Sequence, residues 1–275
     1  MLQDISPHRF YNQYRPVPLQ KDGFILSYRE RQVLVKKDGD SIALPRFADY
    51  AVSLPQPLQW AFRIDTWQFF LSPAALPEKD EFTYLPIMEM RHLEPRSLAF
   101  AAVSGLSLHN WYENHRYCGQ CGAPMKHSDT ERMVHCDTCH TLIYPRICPA
   151  VIVAVRNGDS LLVSKYAGRS GNKRWALLAG FAEIGETIEE TVHREVMEEV
   201  GIRVKNLTFY KSQPWGFSDS LLFGFFCDLD GAAALNVDHR ELAVAEWRLR
   251  QDLPKDAEAA TLTMEMISLF RQGKA

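Results

Sequence analysis

GFAEIGETIEETVHREVMEEVGI, residues 180–202, sets four carboxylates, those of Glu186, Glu195, Glu198 and Glu199, around one short helix. From Thr187 onward there is no Gly or Pro until Gly201, and Thr187 follows a turn containing Gly185, so the helix has readable ends. Its apolar positions are Ile188, Val192 and Val196. At about 100° per residue, Glu195 and Glu199 fall on the side of Ile188 and Val192, so the core-facing stripe turns acidic in its last two turns. Glu195, Glu198 and Glu199 are also i, i+3 and i+4 neighbours near a helix C-terminus, where both like charge and the helix dipole disfavour them. A cation must offset this. Clustered oxygen ligands suit hard ions such as Mg²⁺ or Mn²⁺, and Mg²⁺ commonly shares its shell with substrate phosphates. The plainer alternative is an acidic, solvated helix face.

A chain of 275 residues, 46% hydrophobic and 24% charged, can bury sizeable cores and is expected to form two or three domains. Its formal charge of −3 gives no general attraction to nucleic acid, so any such contact needs a local basic patch. The start, MLQDISPHRFYNQYRP, lacks an apolar signal core, and the apolar stretches at 98–108 and 221–226 are too short to span a bilayer. A cytoplasmic protein with no membrane partner is the expectation.

Four of the six cysteines form the pairs Cys118-x-x-Cys121 and Cys136-x-x-Cys139, fourteen residues apart, which reads as a tetrahedral Cys₄ zinc site. Gly119 and Gly122 suit the tight knuckle turns. Two disulfides or redox thiols are the competing readings, disfavoured in a reducing compartment. Four protein thiolates leave no open position, so such a zinc is structural. Cys148 and Cys227 sit in apolar runs and read as core residues.

The fold class expected is α+β. Residues 1–94 alternate short β-like runs with turns: 23–28, 32–35, a turn at 36–40, 60–71 and 82–90. Residues 95–115 read as a connecting helix beginning at Pro95, 116–146 as the zinc ribbon, and 147–275 as a third unit. There, strands 150–155 and 160–165 join at Asn157-Gly158, a strong hairpin signal. A strand at 175–181 leads into the quoted segment. Strands near 204–211, 220–228 and 244–249 follow, with a closing helix at 261–271.

The quoted segment resembles the Nudix box, G-x5-E-x7-R-E-U-x-E-E-x-G-U with U apolar. Gly180, Glu186, Arg194, Glu195, Val196, Glu198, Glu199, Gly201 and Ile202 fill every specified position. The resemblance implies an α/β/α sandwich that hydrolyses a nucleoside diphosphate linked to a further group, using water and divalent metal. A second segment, Ser212-Gln-Pro-Trp-Gly-Phe-Ser-Asp-Ser220, is similar to the S-Q-P-W-P-F-P-x-S array of the NADH pyrophosphatase and NAD-capped RNA hydrolase subfamily. Gly216 and Ser218 replace two of its prolines, so a looser loop is expected; Gln213, Trp215, Phe217 and Ser220 persist. Taken alone, Trp215 and Phe217 would read as core aromatics. The subfamily also carries a Cys₄ ribbon and a divergent β-rich domain ahead of the Nudix domain, and it is suggestive of a homodimer.

By matching positions, the resemblance implies that NAD(H) is cleaved to nicotinamide mononucleotide and AMP, and NAD caps are removed from RNA 5′ ends. Glu195, Glu198, Glu199 and Glu241, with the Ala179 carbonyl beside Gly180, would hold Mg²⁺ or Mn²⁺. Glu199 would be the general base, with Glu198 second, and Arg194 and Glu186 would orient the cluster. Phe181 and Tyr144 would flank a base or nicotinamide ring, with Trp215 in the neighbouring pocket. Thr263 stands where relatives have a small alanine lining the nucleotide pocket, which bears on ring selectivity. His193 reads as solvated. Two alternatives stay open: the same chemistry on ADP-ribose or another nucleotide sugar, and a nucleic-acid-binding or regulatory protein with an idle Nudix domain. The last draws on Arg116, Lys126, His127, Arg132 and Arg146 around the ribbon.

Overall fold

The computed structural model describes residues 1–18, 20–51, 54–55, 57–168, 174–254 and 261–275. Residues 255–260, just ahead of the expected closing helix, therefore lie outside the described residues. The chain divides into two compact units: Leu2–Arg146 with Gly216–Asp219, and Met1, Ile147–Trp215 and Ser220–Ala275.

The first unit contains, in chain order, β1 (Phe10–Tyr11), β2 (Phe24–Leu26), β3 (Tyr28–Arg29), β4 (Gln32–Asp38), β5 (Ser41–Ala43), α1 (Phe47–Tyr50), β6 (Gln59–Ile64), β7 (Trp67–Leu71), β8 (Phe82–Pro86) and α2 (Arg96–Asn114). The ribbon strands β9 (Lys126–His127), β10 (Val134–His135) and β11 (Leu142–Ile143) follow. One sheet runs β1-β6-β7-β2; a second joins β3, β4 and β5, with β8 on the other edge of β4. Ile25, Leu34, Tyr50, Trp60, Phe70, Leu76, Phe82 and Tyr84 share a core.

Three expected runs are corrected here. The run 60–71 is not one strand: it folds back at Asp65, which takes a left-handed φ of 50°, to give the hairpin β6–β7. The run 82–90 stops at Pro86, which has no N–H to continue a ladder, and Ile87–Arg91 winds into a 3₁₀ turn. The strand expected at 32–35 continues to Asp38, so the turn falls at Gly39, φ 57°.

α2 is apolar around much of its circumference, and Ser97–Val103 are all buried, as expected of a helix enclosed by its own domain. Gly105 shows how closely it is held. A Cβ there would lie 2.4 Å from both Leu26 Cδ1 and Tyr28 Oη. The Tyr28 hydroxyl donates to the Ala102 carbonyl at 2.7 Å, and its burial pushes the phenol pKa up.

The second unit contains β12 (Cys148–Asn157), β13 (Ser160–Tyr166), β14 (Leu178–Phe181), α3 (Ile188–Val200), β15 (Arg203–Trp215), β16 (Ser220–Asp230), β17 (Leu242–Leu249) and α4 (Leu262–Arg271). The sheet order is β15-β16-β12-β13-β17, with β14 also pairing β12. β12 runs parallel to β16 from Cys148↔Ser220 to Arg156↔Asp228. Its other edge is shared: Ala150–Val153 pair with β14, and Arg156 and Asn157 with β13.

The near-continuous apolar run 150–155 follows from two-sided burial. Val151, Val153 and Val155 join Val192, Val196 and Val200 of α3 in one core. Ile152 and Ala154 join Leu262, Met266, Ile267 and Phe270 of α4 in the other. The result is an α/β/α sandwich. The strand expected at 175–181 is shorter, because only Leu178–Phe181 pairs with β12 while Ala176 makes an isolated bridge to Ser164. The strands expected at 204–211 and 220–228 are the middle of a longer ribbon, Arg203–Trp215 with Ser220–Asp230.

Gly105→Ala is expected to lower stability by about 1–3 kcal/mol, the usual cost of overpacking, because Leu26 and Tyr28 are buried and cannot yield. Urea or thermal unfolding of the full chain measures it; a stability equal to wild type would show that α2 is not pressed onto these two side chains.

Candidate active site

α3 is fixed at both ends by its own sequence. The Glu190 amide donates to Thr187 Oγ1 at 3.2 Å and the Thr187 amide to the Glu190 carboxylate at 2.7 Å, a reciprocal cap. Gly201 closes the helix with φ 69°, which favours glycine. Two carbonyls of the last turn, which no helical amide reaches, are met from outside: Asn236 N donates to Val200 O and Asp238 N to Glu199 O, both at 2.9 Å. The Glu241 amide turns back onto Asp238 O at 3.1 Å, so the loop carrying Glu241 is fastened to the end of α3.

The buried face of α3 includes Val192, Glu195, Val196, Glu199 and Val200. Glu195 is 8% exposed and Glu199 2% exposed. Neither Glu199 oxygen has a hydrogen-bond donor in bonding geometry. Burial first, then the charges of Glu195 and Glu241, push the Glu199 pKa up from 4.5 to about 8; the backbone amide of Ala179 works weakly the other way. Burial likewise raises Glu195, against the pull of Arg194. Glu198 and Glu241 are exposed at the rim.

Gly180 on β14 permits this packing. A Cβ there would lie 1.9 Å from the Glu195 carboxyl carbon. Glycine at this position thus admits the Glu195 carboxylate against β14.

Arg194 binds the acidic groups together. Its Nε and Nη2 meet the two Glu186 oxygens at 2.5 and 2.9 Å, a bidentate pair. Nη1 reaches Glu195 at 2.7 Å and Glu198 at 2.9 Å, and Nη2 also donates to the Phe181 carbonyl at 2.8 Å. Glu186 accepts further from the Glu183 amide and Thr191 Oγ1, both at 3.0 Å. The Arg194 guanidinium, foremost, holds the Glu186 pKa down at about 2. Thr191, Asn236 and Asp238 were not picked out from the sequence; the five-residue spacing of Glu186 and Thr191 is the one local signal that could have found any of them.

The donor set around Glu199 suits a hard divalent cation, which would satisfy two buried oxygens that otherwise have no partner. Four thiols form a different kind of site. The Sγ atoms of Cys118, Cys121, Cys136 and Cys139 all lie within 4.8 Å of one another, and no other group of three or more such side chains among the described residues is drawn in so closely. The pairs 118–139 and 121–136 are 3.4 Å apart, too far for disulfides and suited to a tetrahedral thiophilic ion. Backbone amides of Cys121 and Gln120 hold the Cys118 pKa down at about 6, and the Cys139 amide lowers Cys136. The left-handed residues of the two knuckles are Gly122, φ 75°, and His140, φ 61°; Gly119 is not left-handed, which corrects its expected turn role.

The residues expected at a substrate pocket are placed unevenly. Phe181 is 54% and Tyr144 53% exposed, and the Tyr144 hydroxyl donates to Glu131 at 2.8 Å. Trp215, at the end of β15, is half-buried, and so is Thr263 in the first turn of α4. Gln213 is fully buried, and its Oε1 accepts from the Leu262 amide at 2.8 Å, capping α4 beside Thr261. Ser220 is buried where β16 begins.

The loop expected to be loose is held. The Gly216 carbonyl accepts from Ser107 Oγ at 3.1 Å, the Phe217 carbonyl accepts from Arg31 Nη2 at 2.8 Å, and the Phe217 ring is buried. A Cβ on Gly216 would meet the Val103 carbonyl at 2.9 Å, so proline is unsuited there. Glycine supplies room at this position, and the slack inferred from missing prolines is corrected.

Residues 146–268 match the NUDIX domain family, and residues 113–144 the NADH pyrophosphatase zinc ribbon domain. The chain carries a Nudix domain. It is similar to the NAD-capped RNA hydrolase NudC of Salmonella heidelberg, 42% identical over 163 residues that make up 59% of this chain and 63% of that protein. It is also similar to the protein of the same name from Klebsiella pneumoniae, 43% identical over 164 residues, with the same coverage. The matched part thus spans less than two thirds of these relatives. A solved NUDIX hydrolase from Nitrosomonas europaea aligns at 20% identity with a TM-score of 0.49, covering 57% of this chain and 91% of that one. No described helix of the chain is long and apolar enough to cross a membrane.

The buried carboxylates of the Nudix domain give its stability a pH signature. Glu199 holds a proton more tightly folded, at about 8, than at its ordinary 4.5, so the stability it confers is full below about 4.5 and lost as pH rises through about 8. In divalent-free buffer, wild type is expected to lose on the order of a few kcal/mol across this window, and Glu199→Gln to lose much less. Glu186 has the opposite sign: what it contributes is present above 4.5 and disappears as pH falls towards about 2. Chemical unfolding between pH 5 and 9 reads the first effect; matching slopes for wild type and variant would show that Glu199 ionises freely in the folded chain.

Proposed function

We propose that the chain is a divalent-metal-dependent pyrophosphohydrolase that cleaves the diphosphate of NAD(H) to nicotinamide mononucleotide and AMP, and that takes NAD-capped RNA 5′ ends as a related substrate. The observation that carries this is Glu199, a buried carboxylate with two unpartnered oxygens beside Glu195 and Glu241. Such a group is costly in a structural helix and suited to cations and proton transfer. The substrate class is supported by the NADH pyrophosphatase zinc ribbon and by the names of the relatives.

Mg²⁺ or Mn²⁺, held by Glu195, Glu198, Glu199 and Glu241 with the Ala179 carbonyl, would neutralise the diphosphate oxygens and acidify water. The chain's own groups do the rest. Glu199 takes the proton as water attacks phosphorus and the bridging P–O bond breaks, leaving two monophosphates; Glu198 is second choice for that role. Arg194, anchored on Glu186, keeps Glu195 and Glu198 oriented and ties them to the Phe181 carbonyl, so the carboxylates need not reorganise during the step. Phe181 and Trp215 supply aromatic surface for the nucleotide rings, and Thr263 tunes the pocket. The four thiols hold a structural zinc, which a reducing cytoplasm leaves undisturbed. A homodimer is part of the same reading.

NADH should be hydrolysed to two mononucleotides only when Mg²⁺ or Mn²⁺ is present. Glu199→Gln should lower kcat at least roughly 10²-fold, since general-base roles contribute about 10²-fold to 10⁴-fold. Absence of turnover with every divalent ion would mean an idle domain, and faster turnover of ADP-ribose than of NADH would move the substrate to nucleotide sugars. Trp215→Ala should cost about 1–3 kcal/mol in kcat/KM for NADH, the usual worth of base stacking, and leave ADP-ribose less affected. An equal loss on both would remove Trp215 from nicotinamide recognition.

A further inference from the structure

The N-terminal β-rich unit contains a cavity of about 660 Å³, within the size range of small-molecule sites. Among the described residues no Asp or Glu lines it, although the chain as a whole carries −3, and its lining includes two guanidinium groups, those of Arg15 and Arg63. Arg63 lies 3.6 Å from the centre of the Tyr11 ring and donates one N–H to the Asp65 carbonyl at 2.5 Å, leaving further donors unused. Arg15 is exposed and has no hydrogen-bond or ion-pair partner among the described residues. Trp60, also on the wall, is 5% exposed, and its Nε1 has no acceptor. Gln13 and Gln68 add primary amides, of which Gln68 uses its oxygen to accept from the Gln20 amide.

We propose that this cavity is a second, non-catalytic site for a nucleoside monophosphate. Arg15, without an ion-pair partner among the described residues, and the remaining donors of Arg63 match a phosphate monoester, which carries about −1.5 to −2 at neutral pH. The cavity is far larger than phosphate requires, given about 30 Å³ of liquid volume per water, so a larger group accompanies the anion. Side-chain amides offer the paired donor and acceptor that an adenine edge accepts. This inference does not depend on the Nudix reaction, because it concerns binding in a different unit.

Calorimetric titration of the full chain in divalent-free buffer, with AMP, inorganic phosphate and adenosine, tests it. AMP should bind one saturable site per chain, phosphate more weakly, and adenosine not detectably. Arg15→Gln should weaken AMP by roughly tenfold or more, the worth of a charge-assisted hydrogen bond, and Arg63→Gln likewise. Arg15 makes no internal contacts that the fold needs, so this variant remains informative if Arg63→Gln fails to fold. NADH hydrolysis by Arg15→Gln should be unchanged. Glu199→Gln should bind AMP as wild type does. AMP affinity that survives Arg15→Gln, falls with Glu199→Gln, or is equalled by adenosine or by phosphate would overturn the assignment, as would no AMP binding at millimolar concentration.

Discussion

The structure turns on two carboxylates placed where a helix needs apolar groups. Glu195 and Glu199 interrupt the stripe that otherwise reads Val192, Val196 and Val200, and both are buried. Removing an ionised carboxylate from water is so unfavourable that it must be paired, bound to a cation or left protonated. Glu195 is paired with Arg194 at 2.7 Å. Glu199 has no ion pair and no well-formed hydrogen bond among the described residues, and its raised pKa records the consequence. Arg194 therefore offsets only part of the charge on the helix, and the remainder is available to a ligand.

Much of the surrounding chain follows from holding that helix still. Its first turn is capped by its own Thr187 and Glu190, and its last carbonyls are bonded by the loop that delivers Glu241. β14 passes close enough that only glycine fits at position 180. Behind these contacts, the alternation along β12 gives one row of valines to α3 and another row of residues to α4, so the sheet is buried on both faces. The acidic groups thus sit on an element whose position is set by packing that carries no charge. A catalytic arrangement gains from such a scaffold, since carboxylates that repel one another would otherwise drift apart.

The box helix was legible because its determinants are local: a cap at Thr187, an αL stop at Gly201, and a period that can be counted. The hairpin at Asn157-Gly158 was legible for the same reason. The turn between β6 and β7 is only Asp65-Thr66, with no Gly or Pro to mark it, which is why 60–71 read as one strand and not as a hairpin. Gly216 was misread because tertiary contacts decide its role. Gly216 stands against the Val103 carbonyl and Gly180 against the Glu195 carboxylate, and nothing in the neighbouring sequence states what fills the space where a Cβ would go. The cap that the buried Gln213 gives to α4 joins residues 49 apart, through the Leu262 amide and Gln213 Oε1, and no local spacing states it.

The thiol and carboxylate centres meet the electrostatics of ion binding in opposite ways. At the ribbon, backbone amides favour thiolate at Cys118, lowered to about 6, and at Cys136, while the neighbouring thiols push Cys121 up to about 12 against the Ala123 amide, so the close-set site is charged in part before an ion arrives. At α3, burial and like charge disfavour carboxylate, with Glu199 raised to about 8, so a cation must displace a proton and organise its ligands as it binds. Ligands poised as anions retain a metal tightly; ligands that pay for ionisation release it more readily. The first behaviour suits an ion that holds a fold together, and the second suits ions that exchange with each substrate and product.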